Sequence, residues 1–280
     1  MSVSGVFDYF SGRPRHPVGP DGRMALSDHA RELRARLLRS AFALVLAFCL
    51  ALFFYDDLLR LIEAPYKEAL PRLQPGTKSE IVLNGVTAGL MLQLKLCGVA
   101  AIVVASPYWL YQIWAFIMPG LHPSEKKWTR TFVAIAGPLF LLGVATGYYV
   151  LPTGIAVLLQ FAPDTATTLV EFTQYFSFIT RMLLVFGIAF EIPLFVIMLN
   201  LAGVVSGRAL GKYRPWIILG VFVFAAVATP STDPFSMLML GIPMLVLFLV
   251  AEVIARLVDR SRGRGRDSTA QWDDDEVSPL

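Results

Sequence analysis

The chain has 280 residues, of which 56% are hydrophobic and 16% charged, with a net charge of +3. Average soluble proteins carry about 25% charged residues, so an ordinary soluble domain is excluded, and so slight a basic excess excludes a nucleic-acid binder, which needs clustered positive surface. Disorder over most of the chain needs low hydrophobicity, and a disulfide scaffold needs more than Cys49 and Cys97, which both stand in apolar runs.

A membrane-spanning helix needs about 20 mostly apolar residues, and six segments qualify or nearly qualify. Residues 1–23 precede them as a polar, flexible extension, without the short apolar stretch and A-x-A site of a cleaved signal. The predicted spans are Leu37–Tyr55, Leu90–Met118 (interrupted by Lys95 and the Ser106-Pro107 step), Phe132–Leu151, Phe176–Val204 (carrying Arg181 and Glu191), Trp216–Ala228 and Phe235–Ala251. No segment alternates polar and apolar with period two, so helices rather than barrel strands are expected. The last two spans are short, at roughly 20 and 26 Å against a hydrocarbon core of about 30 Å. Two explanations stay open: a bilayer thinned around this hairpin, or flanking Lys212, Tyr213 and Arg214 continuing the helix and snorkelling.

The basic residues orient the chain. Lys and Arg number 7 through Arg39, 3 in Pro119–Arg130, 3 in Ala202–Arg214 and 5 in the C-terminal tail, giving 18 on one face. The opposite face carries 4, all between Leu58 and Gly89. The positive-inside rule then places both termini in the cytoplasm. The predicted fold class is an all-α polytopic membrane protein with six transmembrane helices, the last two short. A membrane domain at 24–258 lies between the N-terminal extension and a disordered charged cytoplasmic tail at 259–280, basic at Arg262, Arg264 and Arg266 and acidic from Asp273 to Glu276.

The sequence predicts no catalytic residue, metal ligand or cofactor. His16, His29 and His122 all lie outside the spans, and there is no HExxH, G-x-S-x-G or P-loop. The chain therefore reads as something other than an enzyme. Glu191, in Phe190-Glu191-Ile192-Pro193, is the exception to an apolar interior. An ionisable group at that depth costs roughly 2.5–3.5 kcal/mol and ordinarily faces protein or a water cavity, where it serves function; a protonated carboxyl bonded to a neighbouring helix is the plainer alternative. Pro193 removes the hydrogen bond to the Ala189 carbonyl, so a kink is expected at the carboxylate.

Two charged motifs mark the cytoplasmic face. In Asp28-His29-Ala30-Arg31-Glu32-Leu33-Arg34-Ala35-Arg36, Glu32 and Arg36 are four apart and suit a weak surface pair. In Phe116-Ile117-Met118-Pro119-Gly120-Leu121-His122-Pro123-Ser124-Glu125, Ser124 suits an N-cap and Glu125 the positive end of a helix dipole. Neither is specific alone.

Together they carry a resemblance. His29-Ala-Arg-Glu32-Leu-Arg34-x-Arg36-Leu-Leu, Tyr111-Gln-x-Trp-x-Phe116-x-x-Pro119-Gly-Leu-x-x-x-Glu125-Lys-Lys and Phe186-Gly-x-x-Phe190-Glu191-x-Pro193, in this order, with Ala64-Pro65 and Thr229-Pro230 between and after them, resemble the TatC family over about residues 24–258. TatC is the multispanning receptor subunit of the twin-arginine protein translocase. The resemblance implies a chain that binds signal peptides bearing a consecutive Arg pair on folded cargo. It implies that single-span partners of the TatA and TatB type are recruited for export driven by the proton motive force. The expected location is a prokaryotic inner membrane, and self-association in a multi-subunit complex is implied.

By the same resemblance, Glu32 and Glu125 would accept the peptide's guanidinium groups, for which planar bidentate acceptors suit Arg better than Lys. Phe116 would line the groove and Arg34 would orient the carboxylates. Glu191 and Thr229 would meet partner helices, and Pro65 would serve assembly. Met237 stands where some members carry a glutamine. Two other classes fit less well. A solute transporter built on Glu191 would need inverted repeats and paired broken helices, which the sequence does not show; a purely structural subunit leaves both acidic motifs unexplained.

Overall fold

The structure is a computed structural model and describes residues 26–73, 78–117, 126–161, 167–229 and 233–261. Helix α1 (Leu26–Phe53) runs without a break from the charged motif through the first apolar run. It is therefore longer than the predicted span at its N-terminal end: Glu32 and Arg36 are helix residues continuous with the membrane segment.

Helix α2 (Tyr55–Ala69) turns away after Phe54. It is amphipathic, burying Ile62, Pro65, Tyr66 and Ala69 while Asp56 and Asp57 open its first turn. Pro65 lacks an N–H, so the Leu61 carbonyl four residues earlier loses its helical donor. The Tyr148 hydroxyl donates to that carbonyl at 2.9 Å, and the Tyr175 hydroxyl donates to the Ile62 carbonyl at 2.6 Å. The proline thus frees the Leu61 carbonyl for Tyr148, and Tyr175 adds a second contact at the neighbouring Ile62 carbonyl.

One 3₁₀ turn (Leu70–Arg72) follows, tied to the long third span where Arg72 donates to the Thr153 hydroxyl at 2.9 Å. Strand β1 (Lys78–Val82) pairs in parallel with β2 (Thr167–Glu171), in the register Lys78 to Thr167 through Val82 to Glu171. This small sheet is not expected from the sequence, since its strands are only five residues each.

The predicted second span is two helices, α3 (Ala88–Val104) and α4 (Ser106–Ile117), bent by 56° about Ala105. The bend falls at the Ser106-Pro107 step, where a proline disfavours helix in the residue before it. Helix α5 (Lys126–Leu159) extends past both ends of the predicted third span. It packs on α6 (Phe172–Phe190) through small residues. A Cβ on Gly143 would lie 2.6 Å from the Phe186 carbonyl oxygen, and one on Gly147 3.0 Å from the Phe186 side chain. This GxxxG spacing lets the two helices approach closely, the usual device where lipid supplies no hydrophobic drive.

The fourth span breaks where Pro193 predicts. Helix α6 stops at Phe190, α7 (Ile192–Leu201) resumes, and Glu191 is the joint. Helix α7 ends in a Schellman motif, with Gly203 at φ 75° and the Val204 N–H donating to the Leu199 carbonyl at 3.0 Å. A short helix α8 (Gly207–Lys212), capped by the Ser206 hydroxyl, leads to α9 (Arg214–Ala228) and α10 (Pro234–Ser261).

Among the described residues, four helical stretches are long and apolar enough to cross a membrane: Ser27–Phe53, Ala134–Leu159, Phe172–Leu201 and Pro234–Ser261. The bent pair α3–α4 makes a fifth. Helix α9 has 15 residues, about 22 Å, and is short as expected. Helix α10 is not short: its 28 residues continue beyond Ala251 because polar residues there are paired. Arg256 reaches back one turn to Glu252 at 2.6 Å. Asp259, expected in the tail, is instead buried and accepts from the Gly207 N–H at 2.6 Å and the Asn200 amide at 2.8 Å. The ordered helix thus passes the expected boundary at 258. The predicted extension at 1–23 and the tail from 262 lie outside the described residues.

Candidate functional site

Two of the predicted cytoplasmic residues, Glu32 on α1 and Phe116 on α4, stand on either side of the α1–α4 seam, each held by another α1 side chain. On α1, His29, Glu32 and Arg36 are three and four residues apart and share a face; on α4, Gln112 and Phe116 do the same. Arg36 donates to Glu32 Oε1 through Nε at 2.9 Å and Nη2 at 2.6 Å, and through Nη1 to the Gln112 carbonyl oxygen at 3.3 Å. One turn earlier the His29 imidazole stacks on Phe116, with ring centroids 4.5 Å apart and planes 21° from parallel. The site is half-buried rather than surface-exposed, with Glu32 and Arg36 side chains 16% and 18% accessible. The pair that sequence alone rates as a weak surface contact is the bridge between two helices.

A groove of about 550 Å³ opens beside this pair, walled by Leu33, Leu37 and Leu44 of α1 and by Ile102, Trp109 and Ile113 of α3 and α4, with Arg36, Gln112 and Phe116 at one end. Its walls are apolar and one end carries Arg36, whose guanidinium is bound to Glu32, so an apolar segment fits the groove with a cation exchanging onto that carboxylate. Arg34 is exposed on α1, two residues from Glu32 and so on another face of the helix; Arg36 is the residue that holds the carboxylate. Glu125, predicted to complete the acceptor set, lies outside the described residues.

The intramembrane carboxylate is built differently. The α6–α7 joint turns Glu191 toward α4, where the Trp114 indole N–H donates to Oε2 at 3.3 Å. Oε1 is buried and has no hydrogen-bond partner among the described residues. Trp114 itself is buried and lies against Phe195. Helix α4 therefore presents Gln112 and Phe116 to α1 on one side and Trp114 to Glu191 on the other, as residues two apart must. The sequence displays Trp114, Gln112 and Arg36 inside quoted motifs, yet nothing in spacing alone says which neighbour each meets.

Thr229 is buried at the C-terminal end of α9, its hydroxyl donating to the Ala226 carbonyl at 3.4 Å. It is not hydrogen-bonded to Glu191, so the two residues expected at a partner-helix site are not joined in one network. Met237 lies partly buried against the main core cluster. Pro65 is fully buried under the two tyrosine contacts described above. A further carboxylate escaped sequence reasoning. Glu252 on α10 is 2% accessible and accepts from Arg214 at 3.0 and 2.7 Å and from Arg256 at 2.6 Å, clasping α9 to α10. Among the described residues no cluster of three potential metal ligands occurs.

These features can be set beside known proteins. The family model for the Sec-independent protein translocase protein (TatC) matches residues 28–243. The Sec-independent protein translocase protein TatC of Frankia casuarinae is 42% identical over 93% of this chain and 74% of its own length. That of Escherichia coli K12 is 31% identical over 86% of this chain and 92% of its own length. A crystal structure of a twin-arginine translocase receptor, TatC, superposes with a TM-score of 0.71 at 31% identity, covering 83% of this chain and all of that one. With the family model, the relatives and the fold in agreement, the chain belongs to the TatC family of Sec-independent protein translocase proteins, a transport component rather than an enzyme.

Proposed function

We propose that the chain is the receptor and core subunit of a twin-arginine translocase in a prokaryotic inner membrane. It binds the consecutive Arg pair of signal peptides on folded cargo at its cytoplasmic face. The observation that carries this reading is the half-buried Glu32, held by Arg36, which with Gln112 and Phe116 lines a 550 Å³ apolar groove. A guanidinium binds best to a carboxylate where water is scarce and an aromatic face lies alongside, and the groove has room for apolar residues that follow. Glu125 joins Glu32 as acceptor, and Arg34, from the adjoining face of α1, helps to orient the carboxylate cluster.

The chain crosses the membrane six times with both termini in the cytoplasm. Four long apolar stretches, the bent α3–α4 pair and short α9 support that count, and the excess of basic residues on one face supports the orientation. Glu191 and Thr229 receive the helices of TatA- and TatB-type single-span partners; the unsatisfied Oε1 of Glu191 supports this, since a hydrogen bond from a partner helix offsets part of its insertion cost. Pro65 holds the α2 region in the form that assembly into a multi-subunit receptor requires, and export draws on the proton motive force.

The test is binding of an Arg-Arg signal peptide to the purified protein in lipid nanodiscs. Glu32→Gln and Glu125→Ala should each lose binding by about tenfold or more, equivalent to about 1.4 kcal/mol. Wild-type affinity in both variants overturns the assignment.

A further inference from the structure

Among the described residues, the two surfaces of this site that would recognise a guanidinium, Glu32 and Phe116, are already covered, and by side chains of the same helix. Arg36 places two guanidinium nitrogens on Glu32 Oε1, and His29 lies flat on the Phe116 ring. A planar nitrogen-bearing group on an aromatic face and a forked guanidinium on a carboxylate are the two contacts that an incoming pair of arginines would make. The two residues are seven apart on α1, two helical turns or about 10 Å, and Phe116 and Gln112 are spaced to receive them from α4.

We propose that His29 and Arg36 are an internal surrogate for the signal peptide's arginine pair, so that the empty receptor is self-occupied and opens only by exchange. This rests on Glu32 being the peptide acceptor and adds how that acceptor is regulated. An exchanged salt bridge conserves most of its energy, so a single incoming cation gains little over the one it displaces. Two adjacent arginines displace both the imidazole and the guanidinium at once and keep the gain of each. The self-occupied state thereby sets selectivity for a pair over a lone arginine, and it keeps a half-buried carboxylate from standing unpaired between peptides.

The experiment titrates nanodisc-embedded full-length protein with two fluorescent synthetic peptides, one with an Arg pair before an apolar stretch and one with a single Arg changed to Gln. Arg36→Gln should tighten the pair peptide by about two- to fivefold, the scale of a partly exposed ion pair. It should tighten the single-Arg peptide by a larger factor, so that selectivity falls. His29→Ala should shift both in the same direction by less. Arg36→Lys, which keeps the charge and loses the fork, should fall between wild type and Arg36→Gln and carries the test alone if the glutamine variant does not fold.

Glu32→Gln separates the two ideas. If it loses both peptides while the Arg36 variants bind more weakly than wild type or equally, Glu32 remains the acceptor and the surrogate is overturned, leaving Arg36 as a residue that only orients it. If Glu32→Gln binds both peptides as wild type does, the acceptor assignment itself fails and the surrogate fails with it.

Discussion

Glu252 and Glu191 are both carboxylates set in apolar helices, and the fold treats them in opposite ways. Glu252 takes three hydrogen bonds from two arginines, Arg214 and Arg256, and is closed off at 2% accessibility. Glu191 takes one long bond from Trp114 and leaves Oε1 buried without a partner among the described residues. Burying a charge is tolerable when it is paired, and Glu252 meets that condition within the chain. Glu191 does not, and an unmet polar atom in the membrane is where a second molecule can contribute. Glu32 stands between them, paired by Arg36 with an i,i+4 contact that a stronger competitor can replace. Depth of burial alone would rank Glu252 as the functional residue; completeness of pairing reverses the order.

The comparison breaks first at Glu252. Glu252→Ala should destabilise the protein by about 1.5–3 kcal/mol, the scale of hydrogen bonds to charged groups. The arginines left behind are about half exposed and can rehydrate, which keeps the loss below that of a wholly buried pair. Thermal unfolding in detergent reads this, and an unchanged midpoint would show that the α9–α10 clasp is idle.

Next comes Glu32→Gln. It should weaken an Arg-Arg peptide by about tenfold while lowering stability by only a few tenths of a kcal/mol, as for an i,i+4 pair. A loss of stability as large as that of Glu252→Ala would place Glu32 with the structural carboxylates.

Tyr148→Phe should cost about 1 kcal/mol by leaving the Leu61 carbonyl beside Pro65 without its donor. Hydrogen exchange should show the loss confined to α2, and unchanged protection there would mean that the proline is supported otherwise. The smallest effect on stability belongs to Glu191→Gln. With one bond at 3.3 Å to lose, it should move unfolding by less than about 0.5 kcal/mol, yet reduce contact with single-span partner helices measured by copurification. A large stability change would mean that Glu191 is already satisfied within the chain.

Much of this was legible in the sequence, and the part that was not has a common cause. Helical spans follow from uninterrupted apolar length, and the break at Glu191 follows from Pro193, because both are local. The bend at Ala105 is likewise written in Ser106-Pro107. The extent of α10 was missed because Glu252, Arg256 and Asp259 look like the end of a span by composition. Their partners Arg214, Asn200 and Gly207 lie 38 to 59 residues away and cannot be inferred from periodicity. The β1–β2 pairing is nonlocal in the same sense, joining segments 89 residues apart. At the candidate site, Glu191 stands out by its depth in a span, whereas Glu32 and Phe116 are named only through the family resemblance. Which of α4's faces meets which of them needed the fold, and so did the roles of Arg36, Gln112 and Trp114.

The central claim is that two incompletely committed carboxylates serve two different molecules, Glu32 the signal peptide and Glu191 the partner helix. Site-specific photocrosslinking tests it most directly, with a photoreactive residue placed in turn at Leu33, beside Glu32, and at Ile192, beside Glu191, in membranes containing an Arg-Arg precursor and the single-span proteins. The probe at Leu33 should capture the signal peptide and the probe at Ile192 the single-span helices. The reverse pattern, or capture of the same molecule from both positions with equal yield, would contradict the account.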